Sequence, residues 1–267
     1  MPRIAKRFLD CVVYVYPHRV AADSDQPFGG SGSIVARRVE GGYQTFIVTN
    51  RHVIGKLPNP VVRLNRMQGG TATFETNLAR WIAHPDGDDL SAYQLDVSAD
   101  DHNQAWIFQD AFLTPETMNN YLGLGSEVAM LGRFIGLNGM VNNSPIARFG
   151  AIATPNTILE GNSFGIAQET FVVECHSIPG YSGSPVIAYL PSTALGEAAL
   201  ENGGLGPWLL GVDWKHFGNP EWVINSDGRQ SEEFLIKGNS GLMGAIPTWR
   251  IPKLLDQFPQ TVTGTFL

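Results

Sequence analysis

No stretch of this 267-residue chain stays apolar for long enough to cross a bilayer. The N-terminal segment Met1-Pro2-Arg3-Ile4-Ala5-Lys6-Arg7 is basic, but the apolar stretch after it is broken by Asp10 and is too short for a secretory signal. A cytoplasmic location with no membrane partner is the expectation. Basic charge is also in deficit, with 18 Lys and Arg against 25 Asp and Glu and a net charge of -7. That balance gives no footing for nucleic acid or an anionic lipid surface. Cysteine is scarce. Cys11 and Cys175 each lie in an apolar run of strand character, so two buried free thiols are expected rather than a disulfide. No cluster has the spacing of a metal site, and no cofactor is expected.

Turn-forming residues are abundant instead. Thirty glycines and 17 prolines favour short strands over long helices, and the length suits one large all-β domain or two small ones sharing a cleft. Strands are expected at 8–16, 33–38, 43–49, 61–65, 71–74, 78–83 and 90–95, with a hairpin turn at Glu40-Gly41-Gly42. Thr114 reads as an N-cap and Pro115 as the first residue of a short helix ending near Gly123. A second series of strands follows at 128–132, 146–153, 171–175, 185–189, 208–214 and 244–247. Residues 190–207 read as an exposed excursion and 215–241 as a long polar loop, and Trp249 to Phe258 as a closing helix with Ile251, Leu254 and Leu255 on one face. The expected division is a β-barrel over 1–113, a linker helix over 114–123 and a second β-barrel over 124–267.

Three places carry chemistry. Ile178-Pro179-Gly180-Tyr181-Ser182-Gly183-Ser184-Pro185-Val186-Ile187 sets one serine among glycines ahead of an apolar β-branched run. Glycines let the backbone turn sharply and let a substrate lie against it. They also allow the N–H groups of Gly180 and Ser182 to aim at one developing oxyanion. His52 follows the strand-like Phe-Ile-Val-Thr, and an imidazole suits proton transfer at neutral pH. Asp89 abuts Leu90-Ser91-Ala92-Tyr93, where a carboxylate can be held rigid and orient a histidine. Asp86 and Asp88, in the same acidic run, read as a solvated turn. A calcium loop is the alternative, but the run lacks the full ligand spacing.

In order and in context, these segments are similar to those of the trypsin-like serine peptidases. Thr-Asn-Arg-His-Val resembles the family's Thr-Ala-x-His-Val, Asp-Leu-Ser-Ala-Tyr its acid motif, and Gly-Tyr-Ser-Gly-Ser-Pro-Val its Gly-[Asp/Asn]-Ser-Gly-[Gly/Ser]-Pro. Glu127-Val-Ala-Met-Leu-Gly-Arg-Phe-Ile-Gly-Leu and Gly244-Ala-Ile-Pro resemble the bacterial Do/Deg-type branch, while Ser-Gly-Ser-Pro-Val and Val212-Asp213-Trp214 lean toward the glutamyl-endopeptidase side. No PDZ-like domain is expected to follow. The resemblance implies two antiparallel six-stranded barrels, a triad of His52, Asp89 and Ser182, an oxyanion hole at Gly180 and Ser182, and a protein or peptide substrate.

The chain departs from the pattern at two positions. Tyr181 replaces the aspartate that in digestive relatives pairs with a freshly cut N-terminus, so no zymogen cleavage is expected and the loop must be ordered by packing or by an activating partner. Asp213 replaces a serine that bonds the triad acid. It lies either beside Asp89, raising one pKa, or on a loop face, solvated or paired with Lys215. His176, six positions before Ser182, falls near the base of the pocket for the residue before the scissile bond. With His176, Asp213 and Trp214 as the substrate-binding residues and no acid at that base, a preference for Lys or Arg is not expected.

Overall fold

The computed structural model describes residues 4–24, 26–55, 57, 59–96, 105–135, 137, 139, 141–189, 206–224 and 226–265. The first half folds around β1 (Val12–Tyr16), whose five residues are all buried. β2 (Gly30–Val39) and β3 (Gly42–Thr49) form a hairpin in which Val39 faces Gly42. The two-residue turn places Gly41 at φ 83, a conformation that favours glycine. β4 (Val61–Asn65), β5 (Thr71–Glu75), β6 (Ile82–Ala83), β7 (Ser91–Gln94) and β8 (Ile107–Phe108) complete this sheet, in the order β5-β4-β1-β2-β3-β7-β6 with β8 parallel to β2. Six of these strands have four residues or more, and β6 and β8 have two each.

The helix Pro115–Tyr121 follows, with the Thr114 hydroxyl accepting from the Thr117 N–H at 3.0 Å. β9 (Glu127–Gly132), β10 (Ile146–Leu159), β11 (Gln168–Glu174), β12 (Pro185–Ala188), β13 (Trp208–Ile224) and β14 (Gln230–Pro247) then close into a barrel in the order β10-β11-β14-β13-β12-β9. One apolar cluster spans both halves, joining Val12, Phe46 and Val48 to Ala129, Leu131, Val212 and Ile246. The C-terminal helix Ile251–Leu255 joins the same cluster through Ile251, Leu254 and Leu255, all fully buried. Each such side chain contributes roughly 1.5–3 kcal/mol.

Several segments differ from the sequence expectation. Residues 6–10 are a helical turn, Lys6–Asp10, because only Phe8 is buried there and Lys6 pairs with Asp10 one turn on. Leu78–Arg80 is a 3-10 turn capped by Asn77, leaving only Ile82–Ala83 as strand. The segment 215–241 is no loop: β13 and β14 continue as an antiparallel ribbon well past the barrel, pairing Pro220 with Lys237 and Trp222 with Leu235. Most of the excursion expected at 190–207 lies outside the described residues. Cys11 and Cys175 are free and buried, and burial pushes both thiols up to about 12. Among the described residues no helix is long and apolar enough to cross a membrane.

Candidate active site

His52 lies in the single helical turn Arg51–Ile54, directly after β3. That turn sits on buried Val53 and Ile54, so the imidazole is fixed from below while its side chain remains 18% exposed. Asp89 grips it at two points. Oδ1 accepts the His52 backbone N–H at 2.8 Å, and Oδ2 lies 2.5 Å from Nδ1. A carboxylate accepts only, so this contact assigns the proton to Nδ1 and leaves Nε2 as the basic nitrogen.

Asp89 is fully buried, and its backbone is held on both sides. Its N–H donates to Gln168 Oε1 at 2.9 Å, and its carbonyl accepts from Asn50 Nδ2 at 3.0 Å. Gln168 comes from β11, in the other half of the molecule. Its amide also donates to Asp88 Oδ1 at 3.2 Å. Asp88 is therefore no solvated turn residue. It is buried, accepts from Arg250 Nε at 2.6 Å, and has His84 Nδ1 at 3.2 Å. Asp86 accepts from Lys253 Nζ at 2.6 Å, which holds its carboxyl below the usual range. Arg250 and Lys253 thus occupy the carboxylates that a calcium ion would need, and among the described residues no group of His, Cys, Asp or Glu is arranged to hold a metal.

Ser182 arrives from the second barrel. Its carbonyl accepts the Ser31 N–H at 2.8 Å, docking the serine turn on the start of β2. A Cβ built on Gly30 would stand 2.8 Å from the Ser182 carbonyl and 3.0 Å from a Val53 methyl, so Ser182 reaches the residue next to His52. The Ser31 hydroxyl donates to the Gly180 carbonyl at 2.8 Å and accepts from the Arg133 N–H at 2.9 Å. Among the described residues, the N–H groups of Gly180 and Ser182 donate no hydrogen bond to the protein, whereas those of Tyr181, Gly183 and Ser184 do. Two undonated amides, one of them the serine's own, are what an oxyanion site requires. Among the described residues, the Ser182 hydroxyl makes no hydrogen bond to the imidazole. Such contacts commonly tighten only when substrate binds.

No family model matches the sequence, and no curated protein matches it. Solved structures do. The MamO protease domain from Magnetospirillum magneticum, in its apo form, superposes at a TM-score of 0.56 with 15% identity, covering 95% of this chain and 98% of that one. Deg5 gives a TM-score of 0.54 and 16% identity over 93% of this chain and 88% of its own. A serine endoprotease from Yersinia pestis gives 0.51 and 17% over 96% and 67%. This chain has the trypsin fold.

Within the trypsin fold here, Tyr181 is fully buried, with the Arg148 guanidinium 5.1 Å from its ring centroid. Its packing there holds the loop. His176 is exposed, because inward and outward positions alternate along this segment and Cys175 and Ser177 are the buried ones. It therefore does not form the base of an interior pocket, and a one-residue offset in the alternation accounts for the difference. Trp214 is buried and donates from Nε1 to Thr170 Oγ1 at 3.0 Å.

Asp213 does not take the loop-face arrangement, one of the two expected for it. It is 1% exposed, so it is not solvated, and the Lys215 ammonium lies 5.5 Å from the Trp214 ring centroid and 5.6 Å from that of Phe217. Its Oδ2 accepts from Ser177 Oγ at 2.7 Å. Burial pushes its carboxyl up to about 7, while the Ser177 hydroxyl, the His52 ring and the Lys215 amide each pull it partly back. Asp89 is not among the causes of that shift.

Asn50, Ser31, Gln168 and Arg250 position the site and were not singled out in the sequence. Asn50 stands inside a recognised motif. The other three had no local signal.

Proposed function

We propose that this chain is a serine endopeptidase working through His52, Asp89 and Ser182. In this reading Ser182 Oγ attacks the scissile carbonyl carbon while His52 Nε2 takes its proton. The carbonyl oxygen becomes an oxyanion held by the amides of Gly180 and Ser182, each worth roughly 3 kcal/mol of barrier. The C–N bond breaks as His52 returns the proton to the departing amine. Water, deprotonated by His52, then hydrolyses the acyl-Ser182 ester. Asp89 keeps Nδ1 protonated and stabilises the imidazolium. The observation that carries this reading is the doubly held His52–Asp89 pair beside a serine turn in which the Gly180 and Ser182 amides are undonated.

The test is labelling with a fluorophosphonate probe, together with turnover of a protein substrate. The wild type is expected to label and to cleave. Ser182→Ala is expected to abolish labelling and to reduce turnover by about 10⁴-fold or more. A folded wild type that never reacts, alone or with candidate partners, would count decisively against it.

A second reading is a latent trypsin-fold protein that a partner activates. It is favoured by the unmade contact between the Ser182 hydroxyl and the imidazole. Labelling that appears only after a peptide or protein ligand is added supports this form, since a ligand shifts an equilibrium by its preference for one state.

A further inference from the structure

Beyond the barrel, the β13–β14 ribbon has two edges of unequal character. β14 pairs with β11 only from Leu242 to Ala245, so toward the hairpin end its outer edge faces no strand among the described residues. From Leu242 back to Gln230 that edge runs roughly 30–40 Å at the rise of a strand. The opposite edge, on β13, carries Pro220, and proline lacks the N–H that a further strand would need. β14 has no proline between Gln230 and Gly241. An unpaired edge without such protection is a template for another strand.

The ribbon is also apolar on both faces. Trp222 pairs with Leu235, which puts these two on one face with Ile224, while Phe234 and Ile236 alternate onto the other. Trp222, Ile224, Phe234, Leu235 and Ile236 are 49%, 63%, 62%, 50% and 59% exposed. Taking roughly 150–250 Å² for each aromatic side chain alone, the five leave several hundred Å² of apolar surface in water, the scale that marks an interaction site. A partner lying flat on one face leaves the other bare. A strand added at the edge gives both faces new neighbours at once.

The edge fits a second copy of itself. Glu233-Phe234-Leu235-Ile236-Lys237 has opposite charges at its ends and apolar residues between them. Laid antiparallel on its counterpart about Leu235, it sets Glu233 against Lys237 in both directions, Phe234 against Ile236, and Leu235 against Leu235. Among the described residues neither Glu233 nor Lys237 forms a salt bridge within the chain. The backbone phase agrees. Pro220 faces Lys237, and a residue without an N–H suits a pair that exchanges no hydrogen bonds. The N–H and C=O groups of Leu235 and Lys237 then point out of the ribbon. The Glu233 N–H is taken by Ser231 Oγ at 3.2 Å, which leaves the Glu233 carbonyl for the Lys237 N–H of a second copy. We propose that this chain forms a two-fold dimer by antiparallel pairing of its β14 edges, centred on Leu235. The pairing goes beyond the endopeptidase reading and holds whether or not Ser182 is reactive.

The experiment follows the full chain by sedimentation equilibrium from about 1 to 100 μM, the range in which so small an interface associates. A reversible monomer–dimer equilibrium is expected. Leu235→Lys sets two like charges opposite each other at the centre and is expected to weaken it about 30-fold or more. Glu233→Lys and Lys237→Glu are each expected to weaken it by about tenfold. Mixed in equal amounts, these two single variants are expected to form a heterodimer, because each offers the charge that the other lacks. Recovery in the mixture also shows that both are folded. Cys11 and Cys175 are the only cysteines and are buried, so Leu235→Cys introduces an accessible thiol at the two-fold axis. It is expected to cross-link on oxidation at least about tenfold faster than Ile224→Cys, on the far strand of the same face. A chain that stays monomeric throughout, a dimer that Leu235→Lys leaves intact, or single variants that fail to pair when mixed would each overturn the proposal. So would a monomeric chain whose ribbon instead takes up phosphatidylcholine vesicles or an unrelated extended peptide.

Discussion

At the scale of single residues, the site depends on positions where nothing larger than hydrogen fits. Gly183 has φ +90, and a Cβ there would stand 2.0 Å from the Ser31 carbonyl oxygen and 2.3 Å from Thr49 Oγ1. Both neighbours are backbone-anchored, since the Thr49 hydroxyl itself donates to the Ser31 carbonyl at 2.6 Å. The serine turn therefore cannot keep its seat on β2 if Gly183 gains a methyl group. Gly183→Ala is expected to cut the fluorophosphonate labelling rate by about 100-fold or more, with a stability loss of about 1–3 kcal/mol. Labelling within a factor of three of wild type would show that the seat is not needed. This glycine was legible in the sequence, as were His52, Asp89 and Ser182, because each sits in a short local pattern. Gln168 was not, because it reaches Asp89 across 79 positions and nothing beside it marks a cross-molecule clamp. His176 departed from its expectation for a related reason. One step along an alternating segment turns a side chain from inside to outside, and loop lengths borrowed from relatives do not fix the phase.

At the scale of elements, the acid loop is held by parts that come late in the chain. Arg250, in the turn before the closing helix, donates Nε to Asp88 Oδ2 and Nη2 to Asp86 at 3.0 Å. Its carbonyl lies 3.0 Å from His84 Nε2, at the other end of the same loop. Burial holds the His84 imidazole below its ordinary pKa, so this contact is made by a neutral ring donating from Nε2. Removing the Arg250 side chain strands the buried Asp88 carboxylate one residue from Asp89. Arg250→Ala is expected to cost about 3–5 kcal/mol in urea unfolding, and Asp88→Asn in the same chain to restore part of it. Purely additive losses in that cycle would mean that the pair does not interact. The helix at 251–255 could be read from its apolar spacing, but its grip on the acid loop could not, since 162 positions separate Arg250 from Asp88. The β13–β14 ribbon was missed for the opposite reason. Its outer residues, Trp222, Phe234, Leu235 and Ile236 among them, are exposed on a two-stranded element with no core face. The inside–outside alternation that marks a strand is therefore absent.

At the scale of the whole molecule, the split between an early and a late set of strands was readable, because it follows from local patterns and turn spacing. The electrostatic balance was not, since it depends on which charges the fold buries, and Asp213 sets a measurable part of it. Its carboxyl has an ordinary value of 3.8 and a folded value of about 7. Between those values the native protein holds a proton that the unfolded chain has released. The unfolded state binds fewer protons there, so stability falls as pH rises through the window and levels off above about 7. About three pH units at roughly 1.4 kcal/mol each set a ceiling of about 4 kcal/mol. Asp86 acts with the opposite sign, because Lys253 lowers its pKa and its contribution is lost only as pH falls toward the acid range. The comparison that isolates Asp213 is therefore the difference in urea-unfolding free energy between wild type and Asp213→Asn, at pH 4.5, 6 and 7.5. The variant is expected to gain on the wild type by several kcal/mol across that range, up to the same ceiling of about 4. A constant difference would mean that the carboxyl ionises freely in the folded chain.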